Sequence, residues 1–373
     1  VADDCLILGA GVVGLSLAYE LAGAGLKVRI VDRQAPGKEA SWAGAGILPP
    51  ANFRDPQTSD DRLALLCHEL HPRWSAQLRE ETGIDNELRC TGGLHLATDK
   101  AEGDILRWQA RTWIEQGLSV EDATASNILT ELEPALRGSP LQEKLNAAVF
   151  LPDESQLRNP RHLKALLAAC TQRGVTITAD CAVEDFMVSS GKIVSVRTAS
   201  GDLSAGVICL TGGPWTQNLL SRLGVEVALR PIRGQIALLN TSPGTLRRIV
   251  NIGPRYLVPR ADGRVLVGST EEDVGFEKRN TAEAIAELMR FAISLAPVLA
   301  PATMEMCWAG LRPTTPDGRP YLGRVPGLEN AYVAAGHFRS GLQLSPGTAV
   351  LMRQLILTGS PQIDLEPYRV DRA

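Results

Sequence analysis

Between Cys5 and Arg33 the chain holds a strand, a glycine turn, a helix, a second strand and an acid in one βαβ unit. Cys5-Leu6-Ile7-Leu8 is a short apolar run of strand type, and Gly9-Ala10-Gly11-Val12-Val13-Gly14 follows at once. Leu15, Leu17, Ala18, Leu21 and Ala22 then recur at helical spacing until Gly23 and Gly25. A second strand from Lys27 to Val31 ends on Asp32. In such a unit Gly9 permits the tight turn, Gly11 admits a pyrophosphate to the backbone, and Gly14 lets helix and strand pack closely. The helix N-terminus offers unpaired N–H groups to phosphate, and Asp32 is spaced to accept from a ribose diol. The pattern specifies dinucleotide binding, with NAD and FAD both open.

A chain of 373 residues exceeds one ordinary hydrophobic core and points to two domains. With a net charge of −4, no basic surface argues for nucleic acid or an anionic membrane. No apolar run approaches the roughly 18 residues of a membrane span, and no cleavable signal precedes the first strand. The 7 cysteines are odd in number and lack a CxxC, which fits buried thiols in a reducing compartment. The chain therefore reads as cytoplasmic.

Ala40 to Leu48 is rich in small residues, as expected of a loop whose backbone lies against a flat ligand. Asp60 to Glu81 reads as a helix; its Cys67, His68 and His71 lack a fourth ligand at a sensible spacing, so no metal is expected. Thr91–Ala97 reads as a strand and 105–116 as a helix, an excursion from the nucleotide fold. Asn159-Pro160 reads as N-cap and N1 of a helix ending at Gly174. The strands that follow end in Thr211-Gly212-Gly213-Pro214-Trp215, a glycine turn at a carboxyl end, where ligands gather in open α/β sheets. Residues 226–310 change character: strands at 232–239, 256–259 and 265–268, with one amphipathic helix from Thr281 to Leu295. The final segment returns to glycine-rich turns. Its last helix, opening at Phe338-Arg339-Ser340-Gly341, aims a positive dipole end at whatever lies over the sheet.

The stretches WAGLRPTTPDGRPYLGR, AAGHFRSG and YLVPRADGRVLVGST carry a close resemblance across essentially the whole chain. The sequence resembles the FAD-dependent amino-acid oxidase family that includes D-amino acid oxidase, sarcosine oxidase and the glycine oxidases of bacterial thiamine biosynthesis. The resemblance implies FAD rather than NAD. It also implies a Rossmann-like FAD-binding domain of glutathione-reductase type (1–90, 148–225 and 311–373). Interleaved with it would be an α+β substrate-binding domain on a mostly antiparallel sheet (91–147 and 226–310).

Carried over by position, the family pattern puts adenosine on Val12, Val13, Asp32, Arg33 and Val183, beside Gly9, Gly11 and Gly14. Ala40, Ser41, Ala45, Gly46 and Ile47 would follow the pyrophosphate and flavin. The run His337, Phe338, Arg339, Ser340, Gly341, Leu342 and Gln343 would cover the flavin's pyrimidine edge, its N–H groups stabilising negative charge. Arg312 matches a substrate-carboxylate clamp, Tyr256 a partner on the same carboxylate, and Arg339 a second active-site arginine. Without the resemblance, Arg312 reads as a surface ion-pair partner, Tyr256 as a core aromatic and His337 as structural. Arg255 departs from the pattern: it either admits an extra substrate carboxylate or sits outside the pocket. Cys307 does not fall in the motif of covalent members, so FAD is expected to be non-covalent.

The implied reaction is hydride transfer from a small amino acid or secondary amine to FAD, with an imine product and reoxidation by O2 to hydrogen peroxide. Two alternatives stand beside it: a D-amino acid or 2-hydroxy acid dehydrogenase that uses another acceptor, and a flavin-binding subunit without turnover. By analogy a homo-oligomer is expected.

Overall fold

The computed structural model describes residues 3–372. Its first sheet has six strands, in the order Tyr321–Arg324, Ala331–Ala335, Ala205–Leu210, Asp3–Leu8, Val28–Val31, Thr176–Thr178. All neighbours are parallel except the Tyr321–Arg324 edge. Alternation along the first strand feeds two cores. Cys5 and Ile7 join the helices Val12–Gly23, Ser59–Thr82, Asn159–Gln172 and Gly341–Thr358 on one face. Leu6 and Leu8 face Ile193 and Val196 of a three-stranded antiparallel sheet on the other.

The second sheet has eight strands, in the order Thr303–Thr314, Arg230–Asn240, Arg264–Gly268, Arg255–Pro259, Ile249–Ile252, Gly93–Ala97, Ala147–Leu151, Glu121–Asp122. It is antiparallel throughout, save where Ile249–Ile252 meets Gly93–Ala97. The helix Ala282–Leu295 covers it with Leu288, Ala292 and Leu295.

Three local readings shift. The expected domain limits at 147/148 and 310/311 fall inside the strands Ala147–Leu151 and Thr303–Thr314, both of which stay in the eight-stranded sheet to their ends. Gly310 within Thr303–Thr314, and the glycine turn soon after it, disguised the end of a long strand as turns. The small-residue stretch is not all loop: it forms a short helix, Ala40–Ala43, and a strand, Ile47–Leu48. Asn159 is the first helical residue rather than the cap, which is Arg158, because its side chain is taken up by Ser41 O, to which Nδ2 donates at 2.8 Å. Among the described residues no helix is long and apolar enough to cross a membrane.

Candidate active site

A cavity of about 500 Å³ runs between the two sheets. Every site residue expected from the sequence lines it, apart from Gly14. Gly14 acts one layer beneath: a Cβ there would lie 2.0 Å from Gly9 O. Gly9 itself has φ +119, and a Cβ on it would lie 2.6 Å from Thr211 O. The glycine turn is therefore closed from below by the Thr211 strand end and open only toward the cavity. Gly11 stands at the helix N-cap and offers no side chain to the first-turn N–H groups; Val12 N donates to Ser41 Oγ at 2.9 Å.

Asp32 is held at the carboxyl end of its strand by two backbone donors, Ala10 N to Oδ2 at 2.7 Å and Gln34 N to Oδ1 at 3.0 Å. Burial pushes its pKa up, and those N–H groups oppose the shift. Each oxygen keeps a lone pair for a further donor, as a ribose diol requires. Arg33 lies 3.6 Å over the Trp215 ring and pairs with Glu39 at 2.8 Å, forming the rim of this end. Val183 completes it, with its carbonyl taken by Arg222 Nη1 at 2.8 Å.

The small-residue wall is braced from behind. At Gly46 (φ +76) a Cβ would lie 1.9 Å from Leu157 O, so only glycine fits. Buried Arg260, just past the end of the Arg255–Pro259 strand, donates to Ala45 O at 2.7 Å, Gln156 Oε1 at 2.7 Å and Leu157 O at 3.1 Å. Neither Arg260 nor Asn159 was legible as a site-positioning residue, because their partners lie more than 100 positions away. Trp215 could have been found: it closes the glycine turn at a strand's carboxyl end.

At the other end the run 337–343 meets Tyr256 and Arg312. Half-buried Arg312 donates Nη2 to Ser269 Oγ at 2.7 Å and Nη1 to Thr270 O at 3.3 Å. Burial lowers its pKa, and the Tyr256 phenol counters this. Among the described residues no carboxylate pairs with it. Arg339 is ion-paired with Glu271. His337 is buried, with Nε2 at 3.1 Å from Thr348 Oγ1, and burial alone lowers its pKa to about 4. Gln343 O is 2.9 Å from His71 Nε2. Arg255 sits outside: it pairs with Glu287 at 3.2 Å and faces Phe291, because neighbouring strand residues point to opposite faces. Cys307 is exposed and away from the cavity lining.

The cradle fits a dinucleotide bearing a flat ring system: a glycine turn at a helix start, a ribose acceptor, a wall of small residues and a second helix N-terminus at the far end. The chain is 35% identical to glycine oxidase of Pseudomonas putida over 97% of both chains. It is 35% identical to glycine oxidase of Pseudomonas aeruginosa over 98% of both. Its fold matches the crystal structure of glycine oxidase from Geobacillus kaustophilus with a TM-score of 0.93 and 31% identity, covering 100% of this chain and 99% of that one. The FAD dependent oxidoreductase family model matches residues 4–355, so the glycine cradle and the arginine end fall within one match, and the chain belongs to that family.

Proposed function

We propose that this FAD-dependent enzyme is an oxidase of glycine or a similarly small amino acid or secondary amine, of the kind that feeds an imine to thiamine thiazole formation. The observation that carries this is Arg312: a half-buried guanidinium whose partners are neutral oxygens, opening on the cavity beside Tyr256. A half-buried cation without a counter-ion, facing a cavity, is a carboxylate receptor, and its planar fork suits two parallel hydrogen bonds. The similarity to glycine oxidases supports a small substrate. In this reading the six-stranded-sheet unit holds FAD on the glycine turn, Asp32, the small-residue wall and the run 337–343. The eight-stranded sheet supplies Tyr256 and Arg312.

FAD, when bound, supplies the two-electron acceptor for the substrate's α-hydrogen. The chain's own contribution is positioning and electrostatics. Arg312 and Tyr256 fix the carboxylate and hence the α-carbon. The two cavity-lining carboxylates, Asp32 and Glu39, belong to the glycine-turn end, where Ala10 and Arg33 engage them. His337 is neutral at physiological pH and bonded to Thr348. Neither these carboxylates nor His337 is thereby offered as a base, and in this reading the substrate amine enters unprotonated. The N–H groups and dipole at the start of Gly341–Thr358 stabilise negative charge at that end. Oxygen is the electron acceptor in this reading.

The test is anaerobic addition of glycine, sarcosine, D-alanine and D-proline to the purified yellow protein. Bleaching of the visible flavin band by glycine or sarcosine, with hydrogen peroxide on admitting air, is the expected result. Bleaching without peroxide would make it a dehydrogenase, and bleaching by none of the four would sink the proposal.

A further inference from the structure

Arg312 and Arg339 both line the cavity, and the chain treats them differently. The inner one, Arg312, ends on neutral oxygens of Ser269 and Thr270. The outer one, Arg339, ends on the carboxylate of Glu271, with side chains 37% and 40% exposed. The three partners are consecutive residues that leave the Arg264–Gly268 strand. One short segment thus gives neutral acceptors to the half-buried guanidinium and an internal carboxylate to the exposed one. Arg339 and Glu271 act on Arg312 with opposite sign, so the three charges share one field.

We infer that Glu271 is a specificity-determining residue: it occupies the second guanidinium in place of a second substrate carboxylate and so confines the site to amines with one. The inference rests on the amine-oxidase reading above. A monocarboxylate such as glycine neutralises Arg312 and leaves the Arg339–Glu271 pair intact. An amine with two carboxylates, such as iminodiacetate, brings its second one to a guanidinium already neutralised and to the like charge of Glu271. Juxtaposed like charges at a binding site discriminate strongly against the wrong ligand. The pair itself is exposed and adds little to stability, so Glu271 is free to serve selectivity.

The test uses the FAD-loaded enzyme with methoxyacetate and oxydiacetate, ether analogues of sarcosine and iminodiacetate that lack the oxidisable amine. Dissociation constants are read from the perturbed visible flavin spectrum. Glu271→Gln is expected to tighten oxydiacetate relative to methoxyacetate by about tenfold. It should also raise the iminodiacetate-to-glycine ratio of kcat/KM in parallel. In the double variant Glu271→Gln/Arg339→Met the gain should vanish. As a single change, Arg339→Met should weaken oxydiacetate more than methoxyacetate. An unmoved ratio in Glu271→Gln, or a gain that survives loss of Arg339, overturns the inference. Failure of glycine to bleach the wild-type flavin would instead strike the amine-oxidase reading, since the ether comparison is an equilibrium measurement that needs no turnover.

Discussion

A Cβ placed on Gly234 would lie 2.2 Å from Nη2 of Arg312, so the Arg230–Asn240 strand omits a side chain where the guanidinium passes. Gly268 does the same for Tyr256, whose ring would lie 2.5 Å from an added Cβ. The two groups proposed to hold the substrate carboxylate each rest on a glycine of a neighbouring strand. Gly234→Ala should push Arg312 out of register while the sheet stays intact. We expect kcat/KM for glycine to fall by about 10- to 100-fold, since overpacking a fixed site costs about 1–3 kcal/mol. Far-UV circular dichroism and FAD stoichiometry should stay unchanged; loss of FAD along with activity would mean the glycine serves the fold instead.

Arg312→Lys keeps the charge and loses the planar fork. Truncating a buried charged contact typically costs about 2–5 kcal/mol, so kcat/KM for glycine should drop by at least about 30-fold, and methoxyacetate affinity with it. Activity within threefold of wild type would remove Arg312 from the carboxylate role.

Arg260 reaches from the end of the Arg255–Pro259 strand to Ala45 O, and burial lowers its pKa to about 10. A lysine at this position cannot span the acceptors on Ala45, Gln156 and Leu157 together. The loss of one or two charge-assisted bonds, about 2 kcal/mol, should lower Tm by several degrees. Loosening of the small-residue wall should also raise the Kd of FAD for the apoprotein by about tenfold, measured by quenching of flavin fluorescence. An unaltered FAD Kd would show that the wall holds its shape without Arg260.

Three buried histidines set an acid limit on stability. Burial lowers His71 and His337 to about 4 and His162 to about 3, against 6.5 for the free side chain. The unfolded chain therefore takes up protons below pH 6.5 that the native state refuses. Their contribution is complete above pH 6.5 and is lost as the pH falls from 6.5 toward 4, by about 1.4 kcal/mol per pH unit for each histidine. Tm should decline across that window, and His162→Gln should make the decline shallower. A Tm flat from pH 6.5 to 4.5 would contradict the buried neutral state.

Much of the site was legible because its signals are local. Gly9, Gly11, Gly14 and Asp32 fall within one βαβ unit, so their spacing along the chain is also their spacing in space. The run 337–343 is contiguous for the same reason, and all its members line the cavity. Arg312 and Tyr256 were reached by resemblance, since nothing in their own neighbourhoods marks them as a pair. Arg255 shows the limit: adjacent to Tyr256 in the chain, it faces the Ala282–Leu295 helix across the sheet, a choice made by strand alternation.

The chain alone determined the dinucleotide turn, the change from a parallel to an antiparallel sheet, and the kinds of groups at each end of the cavity. These follow from hydrophobic period and turn chemistry, which act over a few residues. Only the tertiary structure decided what stands behind those groups. It joins Arg260 to the small-residue wall, fits Gly234 under Arg312, and gives Glu271 to Arg339 while leaving Arg312 without a carboxylate. Such relationships join residues dozens to hundreds of positions apart. Burial and charge balance at a point depend on everything packed around it, and no local pattern encodes that sum.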